Sequence, residues 1–197
     1  MHDAPEIVRL RQADYQRMRW KNGAGWTTEI AQAPADDGGS GHFAWRVSIA
    51  EVDADAAFST FPGVDRSLLV LAGEGMVLTF GDGRSALLRA LAEGLAFPGE
   101  ASVHARLLGG PTRDFNVMTR RGLYTHTLTL RRPREPLTLI RSPERSWLVH
   151  VLDGTAADMG AGDSFLLPAG PAAKLVVAGE ATLVVVGLHS LGMRGPQ

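Results

Sequence analysis

The chain has 197 residues, of which 45% are hydrophobic and 21% charged, so disorder over its whole length is excluded. Its 20 basic and 21 acidic residues give a formal net charge of -1, and no global basic field attracts nucleic acid or an anionic membrane. The absence of Cys excludes disulfides, Cys-ligated zinc, iron–sulfur clusters and a thiol nucleophile.

The N-terminal residues predict no secretory signal, because residues 1–6 hold two acids and a proline instead of a basic region before an apolar stretch. The longest apolar runs, such as residues 68–72 and 183–187, are far shorter than the ~20 residues that span a bilayer. We therefore expect a soluble cytoplasmic protein.

Short strand-like segments, separated by Gly, Pro and Asp turns, predict an all-β protein. In chain order the predicted strands are residues 45–52, 67–72, 76–80, 124–130, 147–152, 164–167, 174–178 and 181–188. Residues 87–95 are the best helix candidate. Residues 66–73 and 145–154 form a faint internal repeat, which favours a duplicated barrel.

Several blocks of sequence resemble a known family. Val151-Leu152-Asp153-Gly154, Gly162-Asp163 and Pro168-Ala169-Gly170 resemble the two half-motifs of cupins. Four further blocks are Trp20–Ile30, Trp45–Ala50, Phe58–Arg66 and Asp114–Arg120. In this order, over roughly residues 18–120, they resemble the HutD/Ves family of bacterial bicupins.

The resemblance implies an all-β bicupin fold, with two small jelly-roll-like β-barrels packed together in one chain. We place an N-terminal barrel with a candidate ligand pocket at residues 1–122, and a supporting C-terminal barrel at residues 123–197. For HutD-type members the resemblance implies a regulator or sensor of histidine utilisation that binds an intermediate such as urocanate or formylglutamate. For Ves-type members the resemblance implies a link to the cold response. Members of the family are not established enzymes.

The metal-ligand pattern of most cupins, an H-x-H pair, a Glu and a later His, is missing. Ala173 stands at the position of the later His, Arg66 stands near that of the Glu, and residues 59–63 contain no His. The six His, at positions 2, 42, 104, 126, 150 and 189, never occur as H-x-H or at i, i+4 spacing. We expect no metal and no cofactor, although a site assembled from scattered His stays open. His104 is the best His candidate to face a cavity, and His150 is expected at a core or barrel-facing position.

Three segments of the family blocks each carry a polar row opposite an apolar row when period-two alternation is applied to them. The polar rows are Thr27 and Glu29, Arg46 and Ser48, and Asp114, Asn116, Met118 and Arg120. Such rows usually face solvent in an antiparallel sheet. Because they coincide with the family blocks, and because small barrels can hold one ligand, we predict a polar cavity in the N-terminal barrel.

Arg66 is the first candidate for a ligand anchor, since it stands where metal-binding cupins keep an inward-pointing carboxylate. Its planar guanidinium matches a carboxylate bidentately. Arg46 is a second anchor or pairs with Glu29. The alternative for Arg66 is a salt bridge at the rim, to Asp65 or Asp114. The other candidates for the ligand site are Asn22, Thr27 and Asn116 for orienting hydrogen bonds, Glu29 and Asp114 as carboxylates that neutralise an unliganded Arg, and Phe61, Trp45 and Met118 for apolar walls. Trp20 is a further candidate for an apolar wall.

No nucleophile elbow, P-loop or dinucleotide fingerprint is present, so no catalytic residue is assigned. We expect a non-enzymatic protein that binds a small carboxylate, with no nucleic-acid or membrane partner. Two alternatives stay open: a metal-free isomerase or lyase with Glu29 as general base, and a regulator that acts by protein contact. An exposed barrel edge also leaves a homodimer open.

Overall fold

The regular structure is almost entirely β, as the sequence predicts. The computed structural model describes residues 5–35 and 43–192, and within these ranges one 3-10 helix spans Gln12–Asp14. The strands are β1 (Val8–Leu10), β2 (Gln16–Arg19), β3 (Gly25–Pro34), β4 (Phe43–Val52), β5 (Ala56–Ala57), β6 (Val64–Ala72), β7 (Met76–Phe80), β8 (Ser85–Leu88), β9 (Leu95–Pro98), β10 (Val103–Leu107), β11 (Thr112–Arg120), β12 (Tyr124–Arg131), β13 (Leu137–Arg141), β14 (Arg145–Ala156), β15 (Met159–Gly160), β16 (Ser164–Leu167), β17 (Ala173–Val177) and β18 (Ala181–Ser190). Among the described residues, no helix is long and apolar enough to cross a bilayer.

Residues 87–95 do not form the helix that their apolar content suggested. The first of them complete β8, the last begins β9, and a turn joins the two strands. Leu88 is buried whereas Leu87 is exposed, which is the period-two pattern of a strand. Leu91 has a φ of 58° in the turn, and this left-handed conformation interrupts any helix. The helix expectation is wrong, since so short an apolar run does not distinguish the two structures.

The chain divides into two compact units. We call Gln16–Arg121 the N-terminal unit, and we call the residues up to Tyr15 together with those from Gly122 onward the C-terminal unit. The sequence suggested a single boundary after residue 122, with everything before it in one barrel. Instead β1 pairs with β16, with Val8 opposite Leu166, so this strand belongs to the C-terminal unit.

The N-terminal unit is a pair of antiparallel sheets. One has the strand order β2-β3-β4-β11-β6-β9 and the other the order β5-β10-β7-β8. Their facing sides share one core, in which Leu68 and Val70 of the first sheet cluster with Met76, Leu78 and Val103 of the second. Burial of each such side chain stabilises the folded state by roughly 1.5–3 kcal/mol. This core holds in place the strands that carry the polar rows.

The C-terminal unit also contains two sheets, with the orders β1-β16-β14-β18-β12 and β13-β17, and β15 adds to β14. Its core includes Val149, Phe165 and Leu183.

A buried chain of hydrogen bonds joins His150, Ser164 and Tyr15. His150 is 1% exposed, and its Nδ1 lies 2.9 Å from the Ser164 hydroxyl, which also lies 2.8 Å from the Tyr15 hydroxyl. Burial raises the pKa of Tyr15 to about 12. These hydrogen bonds tie the N-terminal segment into the unit, and His150 occupies the core position expected of it.

Candidate functional site

A cavity of about 660 Å³ opens on the inner face of the larger sheet of the N-terminal unit. Strand register brings the polar rows together there. Met118 lies opposite Arg46 on one side and Arg66 on the other, and Asn116 lies opposite Ser48 in the next row. Period-two alternation therefore places side chains from three neighbouring strands on one wall.

Eight of the ten candidate ligand-binding residues line this cavity. They are Arg66, Arg46, Asn22, Thr27, Phe61, Asn116, Met118 and Asp114. Trp20, the further candidate for an apolar wall, lines it as well. The sequence patterns thus grouped residues that lie up to 98 positions apart, with Trp20 and Met118 as the extremes.

Glu29 and Trp45 are not among the lining residues. Glu29 accepts a hydrogen bond from Arg46 Nε at 2.8 Å, and both side chains are about four-fifths buried. Trp45 is buried on β4, one position from Arg46, so alternation directs it to the opposite face of the strand. The candidate wall residue Trp45 therefore does not belong to the cavity.

Some lining residues were not singled out from the sequence. They are Met18, Arg19, Lys21, Ala50, Ala57, Phe58, Ser59 and Leu68. The first three lie on β2 and in the turn after it. All four residues of β2 are exposed, so no alternation of buried and exposed positions indicates which side chains face the cavity. Phe58 and Ser59 lie in the block that ends at Arg66. Their closeness in sequence to the candidate wall residue Phe61 is the signal by which they could have been found.

Arg66 is a buried cation with incomplete hydrogen bonding. It is 6% exposed, Nη1 donates to the Ser59 carbonyl at 3.2 Å, and Nη2 donates to Asn116 Oδ1 at the long distance of 3.5 Å. Its Nε is buried and has no hydrogen-bond partner in the described part of the chain. Burial lowers the pKa of Arg66 to about 10, so it still carries its charge at neutral pH.

Three aromatic rings surround this guanidinium. Its central carbon lies 5.4 Å from the ring centroids of Phe58 and Phe61, and 5.1 Å from that of Phe97. Phe97 is the cross-strand neighbour of Arg66 on β9. Cation–π attraction of this kind partly offsets the lost hydration of the charge without satisfying its N–H groups.

A tight turn positions Phe61 beside Arg66. The amide of Phe61 donates to the Gly99 carbonyl at 2.7 Å, and the amide of Gly99 donates to the Val64 carbonyl at 2.7 Å. A Cβ on Gly99 would lie 2.6 Å from the Phe61 carbonyl oxygen, so only glycine fits there. Gly63 takes a φ of +73° in the same turn.

In the part of the chain that the structure describes, no salt bridge at the rim neutralises Arg66. Asp65 instead accepts from Arg121 Nε at 2.8 Å, and no ion pair joins Arg66 to Asp114. Asp114 is 1% exposed, and its Oδ2 has no hydrogen-bond partner among the described residues. Burial raises the pKa of Asp114 to about 7, although the positive charge of Arg66 acts in the opposite direction. The cavity wall therefore holds one buried cation and one buried carboxyl that are not paired directly.

Within residues 5–35 and 43–192, no group of three His, Asp or Glu side chains could hold a metal ion. His104 does not line the cavity. It is exposed on β10, between the buried Val103 and Ala105, so the expectation that it faces a cavity is wrong. His2 and His42 lie outside the described residues.

Two units of antiparallel sheets, one with a cavity on its inner face, define the class of the protein as an all-β bicupin. Residues 12–185 match the profile of the HutD family, and the chain belongs to that family. The family resemblance seen in the sequence blocks is therefore confirmed.

Solved structures of two Pseudomonas proteins share the fold. HutD from Pseudomonas fluorescens SBW25 is 32% identical, with a TM-score of 0.80, and the match covers 95% of this chain and 100% of that one. A conserved protein of unknown function from Pseudomonas aeruginosa PAO1 is 35% identical, with a TM-score of 0.80 and coverage of 94% and 100%. The protein YlbA from E. coli, with 10% identity and a TM-score of 0.67, shows the fold alone.

One curated relative, an uncharacterised 21.2 kDa protein in the hutC 3' region of Pseudomonas putida, is 45% identical over 115 residues. That match covers 57% of this chain and 58% of the relative's length.

Proposed function

We propose that this protein is a non-enzymatic cytoplasmic sensor or regulator of histidine utilisation. It binds a small carboxylate intermediate, of the urocanate or formylglutamate type, through Arg66 in the N-terminal unit. The observation that carries this proposal is the state of the Arg66 guanidinium, which is buried and charged at a cavity wall, and whose Nε–H has no hydrogen-bond acceptor and no ion-pair partner among residues 5–35 and 43–192.

A carboxylate supplies what this guanidinium lacks. A buried charge is costly unless it is paired and hydrogen-bonded, and a carboxylate accepts two parallel N–H bonds from one face of arginine. The aromatic rings of Phe58 and Phe61 would cover the apolar part of such a ligand. The cavity volume of about 660 Å³ lies within the range usual for small-molecule sites.

The pathway is supported by the relatives. The protein from Pseudomonas fluorescens carries the name HutD, and the Pseudomonas putida relative is described by its position beside hutC. We place this chain in the same pathway because it belongs to the same family.

A binding role is favoured over catalysis. Glu29, the candidate general base, does not line the cavity and is held by Arg46. Of the lining residues that the structure describes, one carries a carboxyl group, and this residue, Asp114, is buried at the wall. A general base must come within hydrogen-bond reach of the proton that it removes, and the position of Glu29 does not provide this.

A thermal-shift comparison tests the proposal. Urocanate, N-formylglutamate and their methyl esters are added to the wild type, to Arg66→Met and to Arg106→Met. The last variant is the matched control, because Arg106 is exposed on β10 and does not line the cavity.

At 100 times its dissociation constant a ligand stabilises the fold by about 2.7 kcal/mol, which raises the melting temperature by roughly 5–10 °C in a chain of this size. We expect that increase in the wild type and in Arg106→Met with at least one free acid. We expect none in Arg66→Met and none with the methyl esters. A full increase in Arg66→Met, or no increase with either acid in the wild type, would overturn the proposal.

A further inference from the structure

The wall of the cavity contains a second buried ionisable group that simple carboxylate recognition does not use. Asp114 lies on β11, on the same face as Asn116 and two positions from it, and Asn116 accepts from Arg66. Oδ2 of Asp114 has no hydrogen-bond donor among the described residues, and the residue is 1% exposed. An ionised Asp114 is therefore stabilised mainly through the charge of Arg66 rather than by hydrogen bonds of its own.

The other charges around Asp114 are few. Arg46 of β4 is paired with Glu29 of β3, and Arg19 and Lys21 line the cavity from β2 and the turn after it. Among the described residues, those that line the cavity from β6, β11 and residues 57–61 are uncharged apart from Arg66 and Asp114 themselves, and no His of residues 5–35 or 43–192 lines it. Burial raises the pKa of Asp114 to about 7, so this lining carboxyl changes its charge near neutrality.

We propose that binding of a carboxylate at Arg66 is coupled to the uptake of one proton by Asp114, so that the cavity holds its ligand more tightly as the pH falls through neutrality. This inference rests on the carboxylate-binding function proposed above, and it adds a regulatory property to the same site.

The coupling follows from competition for one positive charge. In the free protein, Arg66 partly compensates the charge of an ionised Asp114. A bound carboxylate forms an ion pair with the guanidinium and adds a second negative charge to a wall of low dielectric. Protonation of Asp114 removes the repulsion, because the proton taken up cancels the negative charge of the one carboxylate group that contacts Arg66.

The direction of the pH dependence is fixed by this scheme. Below about pH 7 Asp114 already holds its proton in the free protein, and the affinity is constant. Above that pH the free protein must take up a proton in order to bind, and the dissociation constant rises by as much as tenfold per pH unit. The rise stops at the higher pKa that Asp114 has in the complex.

Calorimetric titration of the wild type gives the first test. Urocanate and N-formylglutamate are titrated at about pH 8 in phosphate and in Tris, whose ionisation enthalpies differ. The slope of the observed binding enthalpy against the buffer ionisation enthalpy counts the protons exchanged, and we expect uptake of close to one. Binding with no proton uptake would overturn this inference and leave the carboxylate-binding function intact, whereas no binding of either acid would overturn both.

Two matched substitutions then assign the proton. In Asp114→Asn we expect a dissociation constant that is independent of pH between about pH 6 and pH 8.5, and at least as tight as that of the wild type at the upper end. Asp82→Asn is the control, because Asp82 is exposed in a turn of the same unit, and the pH dependence should match the wild type. A wild-type pH dependence in Asp114→Asn would overturn the assignment. If that variant does not fold, proton uptake by the wild type still decides the coupling.

Discussion

Replacement of Asp114 by Asn should change how the stability of the free protein depends on pH. Burial raises the pKa of Asp114 from its ordinary 3.8 to about 7. Between these two values the unfolded chain ionises this carboxyl while the folded chain keeps it protonated. The folded wild type therefore loses stability as the pH rises from about 4 to 7, and the loss is complete above pH 7.

The size of the effect follows from the same two values. One pKa unit corresponds to 1.36 kcal/mol, so from about pH 5 to about pH 8 the ionisation of Asp114 costs the wild type about 2.5 kcal/mol. Asp114→Asn has no such cost, because its amide does not titrate. Its free energy of unfolding, relative to the wild type, should rise by about that amount across the interval.

Urea denaturation of both proteins at about pH 5 and about pH 8 measures this difference without any ligand. A difference in the free energy of unfolding that is the same at both pH values is uninformative, because the substitution also removes the attraction between Asp114 and Arg66. The change of this difference with pH is the quantity that matters. If the two stability curves stay parallel over this range, Asp114 does not titrate near neutrality, and the physical basis of the proton coupling fails.

Three further perturbations test other parts of the structure. Gly99→Ala should lower the melting temperature and weaken ligand binding together, because the added Cβ would lie 2.6 Å from the Phe61 carbonyl oxygen and displace that side of the cavity; unchanged values for both would contradict the account. Tyr15→Phe should cost about 1 kcal/mol in urea denaturation, since it removes a hydrogen bond to Ser164, and a neutral result would show that this bond does not anchor the N-terminal segment. Dialysis against EDTA should leave both the melting temperature and the ligand-induced increase unchanged, whereas loss of either would indicate a metal that the described residues do not account for.

Much of the cavity wall could be predicted because its information is local. In Arg46 and Ser48, and again in Asp114, Asn116 and Met118, alternation alone decides which side chains share a face. The same rule excludes Trp45, which lies one position from Arg46, and its inclusion as a wall residue went against the pattern. The position of Arg66 came from the cupin resemblance, since alternation along β6 does not show what the strand faces.

Other parts depend on contacts between distant segments, and no short pattern encodes them. The pairing of Val8–Leu10 with β16 joins residues about 155 positions apart, and a three-residue strand carries no signal for its partner. The contribution of Arg19 and Lys21 to the cavity depends on β2 pairing with β3 in one register, while every β2 residue is exposed. The pairing of Arg46 with Glu29 was an open alternative, which only the register of β3 and β4 could resolve.

The central claim is that Arg66 binds a carboxylate in the N-terminal unit. The most direct test is a crystal structure of the protein with N-formylglutamate or urocanate bound. The account predicts carboxylate oxygens within about 2.7–3.2 Å of the Arg66 guanidinium nitrogens, inside the cavity. A ligand whose carboxylate contacts Arg19 and Lys21 instead, or one bound outside the cavity, would contradict it.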